Sequence, residues 1–595
     1  MTIRPELASG RLPTIKGIVL FPIYYFPDML KMNVKTLLLY LLTNITSAST
    51  LYPTVKTTNG TLTGTHNPDY NQDFFLGIPY AQPPTGPLRY RRPAPRTHPL
   101  GQFDANSYGP GCISTSINLP VFSQTTPSYP ESEDCLTLNV VRPAGLDKGA
   151  KLPVLLFIHG GGFQEGSGGD QRYNMSFLVR ESVTVGAPII GVTINYRLSG
   201  FGFLPGSAVL ESNVANLGLH DQRMALWWVR ENIAAFGGDA EKVTIQGESA
   251  GAMSIGHHLV AYGGKDEGLF RAAIVQSGGP AVDARGMSVQ EQDVLYDNLL
   301  KQTGCMLEED TLDCLRSVPV EALKVAFQNQ SLIPVPDGQF FDGNSRMALK
   351  QGRFVRVPIL AGANTNEGTS FTISQGLKGI GDTTQFRAVV AGWLGPGIAS
   401  TIVDSVVAEY LERMSPEDLQ DFLGTVLPSS RPEYGSLYGK TTLFVGDHIF
   451  IAARRFATET WAKHGVPAYS YRFDTVGSGV SAETLGAAHY TEIPFVFGNV
   501  DGVGHEVNLL ASNSTEEREE FVRLSKRMCR MWLSFVNELS PNAHYALDSS
   551  TSWPAYTKES ARNMLFRKGG ISLEQDTWRA SAINRMNSAA VGLEV

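Results

Sequence analysis

Five residues, GESAG at positions 247–251, constrain this chain more than any other segment. A predicted buried strand at 243–246 precedes them, and a run of small and apolar residues that can form a helix follows. A sharp turn between a strand and a helix strains the backbone of Ser249 and lifts its hydroxyl clear of the sheet. Because such a pentapeptide also arises by chance in unrelated turns, its meaning depends on what else the chain supplies.

A second glycine-rich segment, HGGGF at 159–163, follows the continuous apolar run at 154–158. Three successive glycines free the backbone to point consecutive N–H groups into one cavity, where they can stabilise an oxyanion. The alternative is an ordinary flexible glycine turn. The predicted buried strand directly before the glycines favours the oxyanion-binding interpretation over it. We expect the N–H groups of Gly161, Gly162 and Ala250 to form an oxyanion hole, and His159 to be structural.

A serine hydroxyl is a weak nucleophile, so it needs a base and a carboxylate that orients that base. With this kind of turn the order along the chain is nucleophile, acid, base. Glu367, in the loop after a predicted strand at 358–362, is the candidate acid. His489 lies in the small-residue segment GAAH, which can approach the serine, but the pattern alone leaves five candidate bases: His448, His464, His489, His505 and His544.

The order of predicted elements favours an α/β fold. Buried or alternating strand patterns recur at 136–141, 154–158, 189–196, 272–276 and 469–473, and helical patterns recur at 217–236, 441–463 and 515–539. Strands that alternate with helices predict a large, mostly parallel, doubly wound sheet with helices on both faces, preceded by an antiparallel hairpin at 53–64. We expect one catalytic domain at 53–575 and a C-terminal tail at 576–595.

Composition narrows the possible partners. The chain has 595 residues, of which 42% are hydrophobic and 18% are charged, so it can bury a large core. Its net charge is −8, and no cluster of Lys and Arg stands out, which argues against a nucleic-acid partner. The sequence contains neither an HExxH motif nor a Cys/His cluster. We therefore expect no metal and no organic cofactor.

Five cysteines leave one unpaired if disulfides form. Proximity in the chain favours the pairs Cys112–Cys135 and Cys305–Cys314, although five cysteines do not fix the connectivity. Cys529 lies in a predicted helix, and we expect it to be a buried apolar side chain.

The N-terminal region and four sequence triplets indicate secretion. Residues 32–49 combine a positive start, a short apolar core and small residues, which is typical of a signal peptide. We expect translation to begin at Met32 and 1–31 to be an incorrectly assigned extension. The apolar core is too short for a stable membrane anchor. Acceptor triplets for N-glycosylation occur at Asn59, Asn174, Asn329 and Asn513.

Taken together, these motifs resemble those of a known family. The matching segments are FLGIPYA at 75–81, EDCLTLN at 133–139, HGGGF at 159–163, NYR at 195–197, GLHDQR at 218–223, FGGD at 236–239, GESAG at 247–251, NEGT at 366–369 and GAAH at 486–489. In this order they resemble the type-B carboxylesterase/lipase family, the cholinesterase-like branch of the α/β-hydrolases, and most of all its secreted fungal members.

The resemblance implies an α/β-hydrolase fold and a secreted serine hydrolase that cleaves carboxylic esters through an acyl-enzyme. It implies that Ser249, Glu367 and His489 form the catalytic triad. It also implies the oxyanion hole expected from the glycine turn, formed by Gly161, Gly162 and Ala250. It also supports both disulfides and implies two structural ion pairs, Arg89–Glu133 and Arg197–Asp221. At Tyr490 the chain departs from the family, which usually has a small residue there, so we expect a narrower pocket.

The substrate is less constrained than the chemistry. In the family, the loop closed by the first disulfide can act as a lid, and here only 22 residues separate Cys112 from Cys135. Its single apolar cluster at 117–122 favours small or dissolved esters, while an interfacial lipase or sterol esterase is the alternative. The loop has no Trp, which gives no support for a choline-type cation site. A non-catalytic binding or adhesion role is less favoured, since all triad positions are filled. The oligomeric state is not predicted.

Overall fold

The computed structural model describes residues 52–590 apart from 126–128, 148, 282–287, 396, 416–418, 420, 421, 425, 427–431 and 544–550. The expected extension at 1–31, the expected signal peptide at 32–49 and the candidate base His544 lie outside the described residues. The chain from Tyr52 onward forms one unit by its internal contacts.

Eleven strands of the described chain form one sheet. In chain order they are β1 (Thr65–Asn67), β2 (Gln72–Pro79), β3 (Thr137–Pro143), β4 (Leu152–Ile158), β5 (Ile190–Ile194), β6 (Gly238–Glu248), β7 (Ala272–Gln276), β8 (Ile359–Asn364), β9 (Ala468–Asp474), β10 (Arg562–Arg567) and β11 (Gly570–Gln575).

The sheet is parallel at its centre and antiparallel at its edges. Its spatial order is β11-β10-β9-β8-β7-β6-β4-β5-β3-β2-β1. The strands from β10 to β5 pair in parallel, whereas β11 and β1–β3 pair antiparallel to their neighbours. The prediction of an α/β fold with a mostly parallel sheet and antiparallel N-terminal strands is confirmed. The central strands are buried on both faces, which explains their continuous apolar sequences.

The predicted N-terminal hairpin forms, but in a sheet of its own. Thr54–Thr57 pairs antiparallel with Gly60–Thr63, and Gly101–Asp104 joins as a third strand. The antiparallel edge of the large sheet consists instead of β1, β2 and β3.

Helices cover both faces of the sheet. Neighbouring residues of β4 point to opposite faces, so Leu156 packs into one core with the helix Ala250–Gly264, and Phe157 packs into another with the helix Thr515–Glu538. Full burial of an apolar side chain of this size contributes about 1.5–3 kcal/mol. The remaining helices of eight or more residues span Ser176–Thr184, Leu217–Asn232, Val289–Thr303, Val320–Phe327, Glu367–Ser374, Thr383–Leu394, Ser400–Ala408, Tyr438–Gly446, Ala452–Lys463 and Ala580–Ala590. In the described chain, no helix combines the length and apolar character needed to span a bilayer.

The C-terminal segment differs from the expected tail. Asp576 is buried and accepts hydrogen bonds from Arg454 at 2.6 Å and Arg455 at 2.7 Å. The helix Ala580–Ala590 buries Ile583 against the rest of the domain. Residues 576–590 are therefore packed into the same unit as the sheet, because a buried ion-pair cluster and an apolar helix face hold them there.

Disulfides and ion pairs link segments that are distant in sequence. Cys112 is bonded to Cys135 and Cys305 to Cys314, while Cys529 is free and buried. Two ion pairs match the expected ones: Arg89 Nε lies 2.6 Å from Glu133 Oε1, and Arg197 Nη2 lies 2.7 Å from Asp221 Oδ1. Of the four candidate glycosylation sites, Asn329 and Asn513 are exposed, and Asn59 and Asn174 are half-buried.

Candidate active site

Ser249 lies at the turn between β6 and the helix Ala250–Gly264. Its φ of 55° and ψ of −124° lie in a strained region that non-glycine residues rarely adopt. The turn can be this tight because Gly247 has no side chain. A Cβ at this position would lie only 2.5 Å from the carbonyl carbon of Gly251. The N–H of Ser249 donates to the carbonyl of Gln276 at 2.9 Å, which ties the turn to the end of β7.

Glu367 and His489 are in direct contact. Glu367 begins the helix that follows β8, and its Oε2 lies 2.6 Å from Nδ1 of His489. The other oxygen, Oε1, accepts hydrogen bonds from the Ser277 hydroxyl and the Asn364 N–H, both at 2.6 Å. This arrangement holds the proton of a neutral imidazole on Nδ1 and leaves Nε2 as the basic atom.

The loop that carries His489 is fastened to the end of β8. The N–H of Asn366 donates to the carbonyl of Ala487, and its side-chain Oδ1 accepts from the Ala487 N–H, both at 2.9 Å. Asn364 Nδ2 donates to the carbonyl of Ala488 at 2.7 Å. These bonds fix the position of His489 relative to Glu367, although the two residues are 122 positions apart in the chain.

The free face of His489 points toward the serine turn. Its Nε2 lies 3.2 Å from Oε1 of Glu248, the residue just before Ser249. Within the described chain, Nε2 meets no hydrogen-bond partner of good geometry, Ser249 included. The imidazole is fully buried and stacks on Phe450 at 4.7 Å between ring centroids, with Phe371 at 5.1 Å on an edge. The aromatic rings keep the imidazole in place and exclude water from it.

Three buried carboxyl groups shape the electrostatics around this imidazole. Burial lowers the pKa of His489, but the charges of Glu248 and Glu367 outweigh burial and raise it to about 9. Burial raises the pKa of Glu248 well above its usual range, and it raises the pKa of Glu492 to about 7. Ionised Glu248 stabilises the protonated imidazole, so neutral His489 requires a pH above its raised pKa or the loss of that charge.

The glycine turn lies directly beside Ser249. A Cβ on Gly160 would lie 3.0 Å from the Cβ of Ser249, so the two segments are in close contact. Gly161 has a φ of 100° and Gly162 a φ of 62°, which is backbone that glycine adopts without strain. Neither of these N–H groups donates to a backbone carbonyl of the described residues. Together with the first N–H of the helix after Ser249, they are available to an oxyanion.

The other histidines occupy different environments. His159 Nδ1 lies 2.9 Å from the carbonyl oxygen of Gly160, its ring stacks on Tyr196, and burial lowers its pKa to about 4. His464 packs against Phe354 at the end of a helix, and His448 stacks near Phe444. His505 lies near Tyr490, with 6.2 Å between the ring centroids. Of the described candidate bases, only His489 contacts Glu367.

The loop between Cys112 and Cys135 covers the glycine turn. A Cβ on Gly162 would lie 3.5 Å from Ile117 Cδ1, and a Cβ on Gly161 would lie 3.2 Å from Phe122 Cζ. The Ser374 hydroxyl donates to the carbonyl of Ile117 at 3.3 Å. The apolar cluster of this loop is thus turned inward over the candidate site.

Sequence reasoning missed the polar residues that support the site. Ser277, Asn364, Glu248 and Glu492 are all buried around the Glu367–His489 pair. Glu248 carried the clearest signal, since it lies inside the GESAG turn at the end of a buried strand, where a carboxylate requires a partner. Across the described chain, no group of three or more His, Cys, Asp or Glu residues is arranged to hold a metal ion.

Comparisons with known proteins agree with this geometry. The model of the carboxylesterase family matches residues 52–580. Secreted lipase 1 of Botryotinia fuckeliana is 35% identical over 81% of this chain and 84% of its own length. The secreted triacylglycerol lipase LIP1 of Gibberella zeae is 31% identical over 89% of this chain and 90% of its own length. The crystal structure of Aspergillus niger EstA superposes with a TM-score of 0.77 at 27% identity, covering 91% of this chain and 99% of EstA. The chain therefore belongs to the carboxylesterase family and is a hydrolase of the carboxylesterase/lipase type.

Proposed function

We propose that this chain hydrolyses carboxylic esters through an acyl-enzyme on Ser249, with His489 as general base and Glu367 as its orienting acid. The observation that carries the proposal is the 2.6 Å contact between Glu367 and His489, whose free Nε2 faces the strained serine turn. The glycine turn against Ser249 supplies N–H donors where negative charge would develop.

In the first half of the reaction Ser249 Oγ attacks the ester carbonyl while His489 Nε2 takes the hydroxyl proton. The carbonyl oxygen becomes an oxyanion, which the N–H groups of Gly161, Gly162 and Ala250 stabilise. The tetrahedral intermediate then collapses, and the imidazolium returns its proton to the leaving alcohol. Glu367 stabilises the imidazolium and keeps its orientation through both transfers.

In the second half, water attacks the acyl-enzyme carbonyl while His489 Nε2 takes a proton from the water. The same N–H groups hold the second oxyanion, and its collapse releases the carboxylic acid and protonates Ser249 Oγ. Both steps need a neutral imidazole, and the charge of Glu248 beside Nε2 opposes that form.

Ester hydrolysis by the purified chain from Thr50 tests this proposal. We expect turnover of p-nitrophenyl butyrate, and we expect Ser249→Ala to abolish nearly all of it. Ser254→Ala is the matched control, because it removes a hydroxyl of the same helix that donates to the carbonyl of Ala250 and accepts from Gln222. If wild type and Ser249→Ala turn over the ester equally, Ser249 is not the nucleophile; if neither does so on any ester, a binding role gains support.

For the substrate we propose dissolved or small esters first and an interfacial lipase or sterol esterase second. The short loop at 112–135, with its apolar residues turned inward, favours small esters. The relatives from Botryotinia and Gibberella are named as lipases, which supports the second candidate. Rates on one ester measured below and above its solubility limit separate the two, since a jump in rate when droplets form supports the lipase.

We further propose that the protein is secreted and glycosylated. Two disulfides and the exposed acceptors Asn329 and Asn513 support an extracellular location. Two relatives carry the word secreted in their names. N-terminal sequencing of protein from a culture medium should find a mature chain that begins near Thr50, and a start well before Thr46 would contradict the proposed signal peptide.

A further inference from the structure

Tyr490 has an unusual backbone conformation next to the candidate base. It follows His489 directly, has a φ of 79° and is completely buried. A bulky aromatic residue rarely adopts this left-handed conformation, and the surrounding packing must hold it there. A glycine at this position would have no backbone strain. The contacts of the Tyr490 ring therefore have to account for the presence of a tyrosine here.

The ring of Tyr490 contacts the loop that covers the glycine turn. Its centroid lies 5.0 Å from that of Phe122, and the two rings are nearly perpendicular, with an angle of 89°. Edge-to-face contacts of this kind are favourable between aromatic rings. Phe122 in turn reaches the glycine turn, where its Cζ is 3.2 Å from a Cβ built on Gly161.

Arg172 holds this pair of rings together. Its guanidinium lies 5.0 Å from the Phe122 centroid and 5.2 Å from the Tyr490 centroid, and its Nη1 donates to the Phe122 carbonyl at 2.6 Å. Asp170 fixes the guanidinium through three hydrogen bonds of 2.7–3.1 Å to its side chain. The planar guanidinium can stack on aromatic rings and donate hydrogen bonds at the same time, which Lys cannot do.

A cavity lies beside Arg172. Its volume is about 240 Å³, and its lining includes Val121, Arg172, Val480, Leu485 and His505. The ring of Tyr490 contacts two residues that line this space, Arg172 at 5.2 Å from its centroid and His505 at 6.2 Å between centroids. The apolar part of the lining suits an alkyl chain.

We propose that Phe122 and Tyr490, held by Arg172, form a wall that separates the catalytic site from this cavity and restricts the enzyme to short esters. The proposal rests on the ester hydrolysis proposed above. Phe122 and Tyr490 are then specificity-determining residues, and Arg172 is a positioning residue that acts through them. Removal of either ring opens the cavity to the substrate.

Two variants test the wall through substrate selectivity. In Tyr490→Gly, which suits the local backbone, and in Phe122→Ala, the ratio of kcat/KM for p-nitrophenyl decanoate to that for the butyrate should rise about tenfold or more. The gain should come from a lower KM for the decanoate. Tyr490→Phe keeps the ring and should keep the wild-type ratio. The double variant should have a ratio close to that of either single variant, since each substitution alone opens the same wall. An unchanged ratio in both single variants, with butyrate still hydrolysed, overturns the proposal.

Limited proteolysis tests the same contacts without using the activity. Chymotrypsin cleaves after aromatic residues, and Phe122 is only 2% exposed. We expect Tyr490→Gly and Arg172→Met to be cut after Phe122 much faster than wild type and Tyr490→Phe. Because the disulfide Cys112–Cys135 spans this site, the fragments should separate only on a reducing gel. Equal resistance of all four proteins would show that these residues do not hold Phe122. If no ester is turned over by the wild type, the proposed function fails, while this test still reports on the wall.

Discussion

The carboxylate of Glu367 holds His489 by one oxygen and is itself held by the other. Oε2 lies 2.6 Å from His489 Nδ1, and Oε1 accepts from the Ser277 hydroxyl and the Asn364 N–H. The acid therefore cannot rotate without losing three hydrogen bonds. This explains how a residue at the start of a helix can orient a base that is 122 positions away in the chain.

The first prediction concerns Glu367. Glu367→Gln keeps the shape of the side chain but removes the charge that stabilises the imidazolium, so kcat should fall by about 10³–10⁴-fold. Ser277→Ala removes one of the hydrogen bonds to Glu367 and should cost only about tenfold. Steady-state ester hydrolysis by both variants measures the difference. Equal losses would mean that Glu367 has no role beyond its hydrogen bonds.

The second prediction concerns the pH dependence of activity. The reaction needs neutral His489, whose pKa the neighbouring carboxylates raise to about 9. The value of kcat/KM should therefore rise with pH from 6 toward 9 and fall as pH decreases. Glu248→Gln removes one of the charges that raise this pKa, so the acid limb should move to lower pH by about one unit or more.

Glu459→Gln is the control for that shift, because Glu459 is an exposed acid in a different part of the fold, near Arg455. It should leave the acid limb where it is in the wild type. An acid limb that stays in place in Glu248→Gln would show that the 3.2 Å contact with His489 does not govern the protonation of the base.

The residues around Ser249 show which parts of the candidate site can be predicted from the sequence alone. The strand, the tight turn and the three glycines were predictable because each is a local pattern with a steric cause. His489 could be preferred among five histidines through its small neighbours, yet its contact with Glu367 is made by tertiary structure. The strand order, in which β4 lies between β5 and β6, is likewise set by tertiary structure.

What the sequence could not reveal arises from side chains that meet across distant segments. The wall of Phe122 and Tyr490 depends on a guanidinium from a third segment. The packed C-terminal segment depends on Asp576 meeting two arginines more than a hundred residues earlier. Neither contact leaves a periodic or local pattern in the sequence, which therefore predicts only a C-terminal tail at 576–595.

The third prediction concerns a buried ion pair. Asp221 is fully buried and accepts from Arg197 Nε at 2.8 Å and Nη2 at 2.7 Å. Asp221→Ala leaves a buried guanidinium unpaired, and it should lower the free energy of unfolding by about 3–5 kcal/mol. Equilibrium unfolding in urea measures this change.

The exposed pair Arg387–Asp404 provides the comparison, with an N–O distance of 2.6 Å. Asp404→Ala should cost less than about 1 kcal/mol, because water screens this pair. Similar losses in the two alanine variants would contradict the view that burial sets the contribution of Asp221.

The fourth prediction concerns stability in acid. Burial lowers the pKa of His257 to about 4 and that of His220 to about 3, and it lowers the pKa of His258 well below its usual range. Unfolded histidines bind protons below about pH 6.5, whereas these folded ones do not until much lower pH. The unfolded state gains protons first, so the free energy of unfolding should fall as pH decreases from 6.5 toward 4.

Replacing one of these histidines should weaken that pH dependence. Between pH 6 and 5, His257→Phe should reduce the slope of unfolding free energy against pH by about 1 kcal/mol per unit. The exposed His98, replaced by Phe, is the matched control and should leave the slope unchanged. A His257→Phe slope equal to that of the wild type would contradict this account.

The most direct test of the central claim is to trap the nucleophile. The purified chain is treated with a fluorophosphonate that phosphonylates activated serines, and the modified peptide is identified by mass spectrometry. We expect one adduct per molecule, on Ser249, and loss of ester hydrolysis in proportion to labelling. Ser249→Ala should take up no label. An adduct on another residue, or full labelling of Ser249 with undiminished hydrolysis, would contradict the claim that Ser249 carries the acyl group.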